Sequence, residues 1–122
     1  MSKQILIIED DTFLQSLVAR KLQAEKYSVD VAGDSSIAFK ILDEKTPDMI
    51  LLDLLLPRVD GFEILKKLKE DKKTKTIPVI VFSNLTEEKD IKKARDAGAN
   101  EYMIKSNFTL DELVEKIKKL VK

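Results

Sequence analysis

Three consecutive acidic residues, Glu9, Asp10 and Asp11, directly follow an apolar run from Ile5 to Ile8. Two unit charges about 4 Å apart repel each other by about 4 kcal/mol at an effective dielectric constant of 20. Something positive must therefore offset the repulsion if these acids stand at the end of a buried strand. A divalent cation would do so, and Mg2+ prefers oxygen ligands such as carboxylates and phosphates.

Other polar side chains stand at the ends of later apolar runs. Asp53 follows "MILL", Ser83 ends "IPVIVFS", and Lys105 follows "EYMI". A lysine binds a phosphate oxygen as a point charge, and a serine hydroxyl can donate a hydrogen bond to another. If the fold brings these residues to the acidic cluster, the set favours a site for Mg2+ and a phosphoryl group.

The composition excludes several kinds of chemistry. The chain has 122 residues with no Cys and no His, and its 22 basic residues balance 22 acidic ones. Disulfides, Cys/His zinc sites, a His-containing catalytic triad and a phosphohistidine on this chain are therefore excluded. Any metal site must use oxygen ligands, which indicates Mg2+, Ca2+ or Mn2+. The balanced charge gives no overall basic field, so we expect no direct nucleic-acid partner.

The chain length and its apolar runs indicate one globular domain over residues 1–122, with 43% apolar residues to form its core. The longest apolar runs, residues 49–52 and 54–57, are far too short to span a bilayer. The first residues, "MSKQ", lead into a strand without the apolar region of a secretory signal. We therefore expect a cytoplasmic domain with no membrane partner. Whether it stands alone or belongs to a longer protein stays open.

Five short apolar runs alternate with segments whose apolar residues recur at helical spacing. The runs are rich in β-branched residues and begin at residues 5, 28, 49, 77 and 101. The first two helical stripes consist of Leu14, Leu17, Val18 and Leu22, and of Ile37, Ala38, Ile41 and Leu42.

Capping signals mark several helix ends. The pairs Thr12–Gln15 and Thr109–Glu112 have capping-box spacing, and Asp11 is itself a candidate cap. Gly98 stands where a left-handed helix C-cap is needed.

The order βαβαβαβαβα predicts an α/β fold, a doubly wound five-stranded parallel sheet with five helices on its two faces, as in flavodoxin-like proteins. Right-handed crossovers favour the strand order 2-1-3-4-5. Ligands of such sheets bind beyond the carboxyl ends of the strands. That edge is where Glu9, Asp10, Asp53, Ser83 and Lys105 are expected to meet.

With these motifs in place, the sequence resembles the receiver (phosphoacceptor) domain of two-component response regulators over its whole length. The matching segments are "IIEDD", "LLDLLLPRVDG", "VIVFSN" and "EYMIKS", in family order and at family spacing. The resemblance implies that Asp53 accepts a phosphoryl group from a phosphohistidine on a histidine kinase or a histidine phosphotransfer protein. It also implies that Asp10 and Asp53 bind Mg2+ with the backbone carbonyl of Leu55, while Glu9 binds it through water.

The same resemblance assigns the phosphoryl oxygens to Ser83 and Lys105. It assigns to Tyr102 the role of the aromatic side chain that turns inward when Ser83 is recruited. The face built from helix four, strand five and helix five would then transmit the signal to a downstream effector protein or output domain. The domain is thus expected to be a phosphoacceptor and not an enzyme.

The chain departs from the family pattern at a few positions. Ser83 replaces the commoner Thr, and Asn84 stands where a small residue is usual. Ser106 stands where Pro is usual, which leaves open whether the peptide bond before it is cis. Leu55 and Leu85 are apolar where polar side chains can help position the hydrolytic water, so we expect slow spontaneous dephosphorylation.

Two other functions compete with this interpretation. A pseudo-receiver, an interaction module that keeps the fold without phosphorylation, is the alternative that Asn84 and Ser106 leave open. Haloacid-dehalogenase-type phosphatases also use an Asp nucleophile, a hydroxyl, a Lys and Mg2+. They carry a general acid two residues after the nucleophile, where this chain has Leu55.

Overall fold

In the computed structural model, which describes residues 2–121, five parallel strands form one sheet in the order β2-β1-β3-β4-β5. The strands are β1 (Gln4–Ile8), β2 (Ser28–Ala32), β3 (Met49–Leu52), β4 (Val79–Ser83) and β5 (Glu101–Ile104). The helices are α1 (Thr12–Ala24), α2 (Ser35–Glu44), α3 (Gly61–Glu70), α4 (Glu88–Asp96) and α5 (Leu110–Leu120). The predicted fold and strand order are confirmed. Met1 and Lys122, the ends of the predicted 1–122 domain, lie outside the described residues.

The central strands are buried on both faces, which explains their nearly continuous apolar sequences. In β1, Leu6 and Ile8 face one hydrophobic layer, while Ile5 and Ile7 face the other. All four side chains are at most 1% exposed. Successive side chains of a strand point to opposite faces, so a strand covered on both sides needs an apolar residue at every position.

Two helical layers cover the sheet. Helices α2, α3 and α4 pack on one face, to which they contribute Ala38, Leu42, Ile64, Leu65, Leu68 and Ala94. Helices α1 and α5 pack on the other face and contribute Val18, Leu22, Leu113, Val114 and Ile117. No helix within residues 2–121 is long and apolar enough to cross a membrane.

Two residues of the predicted helical stripes lie outside the core. Leu17 is 37% exposed and Ile37 is 44% exposed. On α1, the buried residues Val18 and Leu22 define the direction of the sheet, and Leu17 is rotated about 100° away from Val18. Ile37 is rotated by the same angle from the buried Ala38 on α2. The predicted stripes were therefore too wide at one edge.

Helix starts were predicted with mixed success. The capping box of Thr109 and Glu112 is present, with both of its hydrogen bonds at 3.0–3.1 Å. The one predicted at Thr12 is wrong, because Asp11 caps α1 by accepting a hydrogen bond from the Leu14 N–H at 3.1 Å. Gly98 follows α4 with a φ of +108°, in the predicted position.

Candidate functional site

An acidic cluster lies at the carboxyl edge of the sheet, where β1 and β3 run side by side. Glu9, Asp10 and Asp53 each offer one carboxylate oxygen, and these three oxygens lie within 4.8 Å of one another. Glu9 and Asp53 are each 4% exposed, whereas Asp10 is exposed. Parallel pairing explains this arrangement, because Ile8 pairs with Leu52 and the next residues of both strands emerge together. An all-oxygen donor set of this kind fits Mg2+.

Lys105 provides positive charge inside this cluster. Its Nζ lies 2.6 Å from Glu9 Oε1 and 2.8 Å from Asp53 Oδ2, and its side chain is 16% exposed. The residue follows β5, so its side chain reaches past the end of β4 to contact acids from β1 and β3. In this structure, Lys105 offsets the repulsion between two buried carboxylates that the sequence places together.

The electrostatics of the cluster are unfavourable for an ionised Glu9. Burial raises the pKa of Glu9 above its ordinary value, the hydrogen bond from Lys105 lowers it, and the negative charge of Asp53 raises it again. Burial also lowers the pKa of Lys105, but the hydrogen bonds to Asp53 and Glu9 outweigh that effect and leave this pKa raised. The fold thus favours a protonated Lys105 and disfavours an ionised Glu9.

Backbone amides orient the two buried carboxylates. The Leu55 N–H donates to Asp53 Oδ1 at 3.0 Å, and the Asp11 N–H donates to Glu9 Oε2 at 3.2 Å. The segment after Asp53 folds back as a short antiparallel pair of strands, residues 55–56 with residues 59–60. Gly61 allows that return, because a Cβ there would lie 2.4 Å from the Leu54 Cα.

Ser83 and Tyr102 lie on neighbouring strands next to this cluster. Ser83 ends β4 and is fully buried, and the Leu85 N–H approaches its Oγ at 3.5 Å. Tyr102 is 7% exposed, and its hydroxyl donates to the Leu85 carbonyl at 2.9 Å. Burial raises the pKa of Tyr102, as do the negative charges of Asp90 and Asp53. The tyrosine therefore points inward and holds the loop that follows Ser83.

The residues near the cluster at which the chain departs from the family pattern differ in their exposure to solvent. The Leu55 side chain is 50% exposed, Leu85 is half-buried and Asn84 is exposed. Residues 2–121 contain no cis peptide bond, so the bond between Lys105 and Ser106 is trans.

One contact of the site was missed in the sequence. The Gln15 side-chain amide donates to the backbone carbonyl of Glu9, so this side chain contacts the acidic cluster and not the helix cap. Its spacing from Thr12 matched a capping box, and nothing else in the sequence distinguished the two roles.

Residues 5–118 match the family model of the response regulator receiver domain. The chain belongs to this family. A solved structure similar to this receiver domain is a response regulator from Chloroflexus aurantiacus, with a TM-score of 0.91 and 27% identity over 99% of this chain and 98% of that one. Two others have TM-scores of 0.83. The Mn(2+)-bound response regulator Rcp1 is 30% identical over 96% of this chain and 92% of that one. The phosphorylated cyanobacterial phytochrome response regulator RcpA is 32% identical over 98% of this chain and 91% of that one.

Among curated proteins, the receiver domain is 34% identical to the DNA-binding dual master transcriptional regulator RpaA of Synechocystis over 98% of its length. It spans 49% of that relative, about half of its length. Because a DNA-binding protein is among the relatives, the expectation that nucleic acid is not a partner has no support from them. Two-component response regulators receive their signal from histidine kinases, which agrees with the predicted kinase partner.

Proposed function

We propose that this receiver domain takes up a phosphoryl group on Asp53 from a phosphohistidine of a histidine kinase or a histidine phosphotransfer protein. The observation that carries the proposal is the contact between Lys105 and Asp53 at 2.8 Å within a cluster of carboxylates. A carboxylate nucleophile, a fixed ammonium group and an oxygen-ligand metal site in one place are what phosphoryl transfer to an Asp requires.

The donor set of the cluster fits Mg2+, and Glu9, Asp10, Asp53 and the backbone carbonyl of Leu55 would hold it, Glu9 through water. Buried Glu9 and Asp53 repel each other, so a bound cation relieves a repulsion that the fold imposes. A divalent cation held by these residues would supply positive charge for the phosphoryl oxygens. Similar structures include a Mn(2+)-bound response regulator, which supports a divalent cation here.

In the transfer step, an oxygen of Asp53 forms a bond to phosphorus while the phosphorus–nitrogen bond of the donor imidazole breaks. The imidazole nitrogen keeps the electron pair, and the product is an acyl phosphate on Asp53. The Leu55 N–H and Lys105 hold one Asp53 oxygen each before the reaction, so the carboxylate is oriented in advance. Lys105 then moves its charge from the carboxylate to a phosphoryl oxygen, and Ser83 donates to another.

The signal passes through the loop after Ser83. Tyr102 already holds this loop through the Leu85 carbonyl, so a shift of Ser83 toward a phosphoryl oxygen changes the contacts of Tyr102 as well. Phosphorylation then favours one arrangement of the face formed by α4, β5 and α5. The partner for this face is a downstream effector protein or an output domain. RpaA, a relative of this domain, is a DNA-binding regulator. An output domain that binds DNA therefore fits the proposal.

A phosphorylation-independent pseudo-receiver is the less favoured function. The residues that would bind Mg2+ and the phosphoryl group all stand at one edge, and none of them is replaced by an inert side chain. A similar structure is that of a phosphorylated response regulator, which also favours phosphorylation.

The test is the intact mass of the protein after incubation with acetyl phosphate and Mg2+. We expect one added phosphoryl group on the wild type, and none without Mg2+ or in Asp53→Ala. Asp43→Ala is the matched control, since this acid is exposed near the end of α2, outside the cluster, and should leave the added mass unchanged. A folded wild type that takes up no phosphoryl group would favour the pseudo-receiver.

We also propose that the phosphorylated domain loses its phosphoryl group slowly and is not an enzyme for other substrates. Leu55 and Leu85 flank the site with apolar side chains that cannot orient a water molecule. The double variant Leu55→Asn, Leu85→Glu should therefore dephosphorylate faster, measured as the decay of the added mass. Leu17→Asn, at an exposed leucine on α1, is the control. Equal decay rates in all three proteins would contradict this proposal.

A further inference from the structure

Gln15 connects the first turns of α1 to the acidic cluster. Its side-chain amide donates to the Glu9 carbonyl. That oxygen belongs to the peptide group that joins Glu9 to Asp10, so the hydrogen bond fixes the orientation of this peptide plane. The plane determines the direction in which the chain continues to Asp10, because only two soft dihedral angles per residue remain free.

Asp10 depends on its backbone for its position. It is exposed, and within residues 2–121 its carboxylate accepts no hydrogen bond and forms no ion pair. Glu9, in contrast, is fixed at every polar group: its N–H donates to Ala32, and its carboxylate accepts from Asp11 and pairs with Lys105. The Gln15 bond completes this set by holding the carbonyl that faces α1.

The Gln15 amide lies close to the loop between β2 and α2. Its Nε2 is 3.6 Å from the position that a Cβ on Gly33 would occupy. The side chain is half-buried and lies between two loops of the same sheet edge. Helix α1 does not need it as a cap, since Asp11 already accepts the Leu14 N–H.

We propose that Gln15 is a positioning residue for metal binding: it holds the Glu9–Asp10 peptide so that the Asp10 carboxylate is aimed at the cluster before Mg2+ arrives. The inference rests on the proposed function of the cluster. Residues that orient metal ligands without touching the metal typically contribute 10- to 100-fold in affinity. Gln15 acts through a backbone carbonyl, so we expect the lower end of that range.

The test compares Gln15→Ala and Gln15→Met with Gln23→Ala, a change of the same residue type at an exposed position on the same helix. Met keeps the length of the side chain without its N–H donor. Ala and Met are both good helix formers, so neither change weakens α1 by propensity. The dissociation constant for Mg2+ is measured by calorimetry without a phosphodonor, and Tm is measured in EDTA.

We expect both Gln15 variants to bind Mg2+ about tenfold more weakly than the wild type. Gln23→Ala should bind Mg2+ like the wild type, and Tm in EDTA should stay within the range of this control. In phosphorylation by acetyl phosphate, the Gln15 variants should need more Mg2+ and reach the wild-type rate once it saturates. If Gln15 had only a structural role, its variants would instead show a lower rate at saturating Mg2+ or a lower Tm in EDTA.

Unchanged Mg2+ affinity in both Gln15 variants would overturn the inference, as would an equal loss in Gln23→Ala. The proposed function fails separately: it fails if the wild type binds Mg2+ but takes up no phosphoryl group. In that case a weaker Mg2+ affinity of the Gln15 variants would still support the positioning role.

Discussion

Lys105 and Lys118 each pair with a glutamate, at the same distance but in different surroundings. Lys105 lies 2.6 Å from Glu9 in the site, with side chains that are 16% and 5% exposed. Lys118 lies 2.6 Å from Glu25, where it joins α5 to α1, with side chains that are 46% and 35% exposed. The two pairs therefore differ mainly in their access to water.

The pKa values of the two glutamates shift in opposite directions. Burial raises the pKa of Glu9 in spite of Lys105, whereas the hydrogen bond from Lys118 lowers the pKa of Glu25. A short ion pair therefore does not by itself stabilise the fold, since the loss of hydration outweighs the attraction at Glu9. The buried pair of Lys105 and Glu9 is therefore explained by the phosphoryl-transfer chemistry proposed for the site. The exposed pair of Lys118 and Glu25 needs no functional role to explain it.

The largest expected effect comes from removing the buried cation. Lys105→Met would leave Glu9 and Asp53 facing each other without positive charge, and breaking a buried pair in this way typically costs about 3 kcal/mol. We expect a marked loss of unfolding free energy in urea with EDTA present. Added Mg2+ should restore part of it, because the ion replaces the missing charge.

Lys116→Met is the control for that change, since Lys116 pairs with Glu101 at 3.7 Å on the surface. A Lys105 variant as stable as this control in EDTA would mean that the carboxylates tolerate each other without a cation, and the comparison would break down.

Glu9→Gln is expected to raise the stability of the fold, by less than Lys105→Met lowers it. Because the fold raises the pKa of Glu9, the ionised side chain is disfavoured in the native state, and the neutral amide avoids that cost. In EDTA at pH 7 we expect a higher Tm for Glu9→Gln than for the wild type. The same variant should bind Mg2+ more weakly than the wild type. Glu9 would then lower the stability of the fold and at the same time contribute to metal binding.

The pH dependence of this difference follows from linkage. Just above pH 4.5, the native state holds more protons at Glu9 than the unfolded state does, so the unfolding free energy of the wild type falls as pH rises through the raised pKa. Below pH 4.5 the side chain is protonated in both states, and the advantage of Glu9→Gln should disappear. A difference in Tm that persists at pH 4 would contradict a cause in ionisation.

The smallest effect is expected at the exposed pair. Glu25→Gln removes a carboxylate whose pKa is lowered, so its contribution is present above pH 4.5 and is lost as pH falls through the lowered value. Screening by water and salt keeps this contribution small. We expect Tm at pH 7 to change by no more than the scatter between repeated scans. A clear loss of stability would make the two pairs more alike than their surroundings suggest.

Much of the site could be predicted because the fold forces it. Once the apolar runs are arranged as parallel strands, the residue after each strand must emerge at one edge, which places Glu9, Asp53 and Lys105 together. The same alternation predicted the two helical layers, and right-handed crossovers predicted the strand order. None of this depends on how any individual side chain is oriented.

The contacts that could not be predicted are hydrogen bonds for which several partners of similar strength compete. Gln15 could bond a helix cap or the Glu9 carbonyl, and only the folded chain brings its amide to that carbonyl, close to the loop that contains Gly33. The partner of the Tyr102 hydroxyl, the Leu85 carbonyl, likewise lies in a loop of another segment and was not predicted.

The order of the elements, the faces of the strands and the edge where the acids meet follow from the chain alone, because alternation and strand polarity are properties of the chain. That Lys105 bridges Glu9 and Asp53, and that the ionised Glu9 is disfavoured, follows only from the folded arrangement. Those outcomes depend on burial and on distances between side chains from distant segments, and both exist only after the layers have packed.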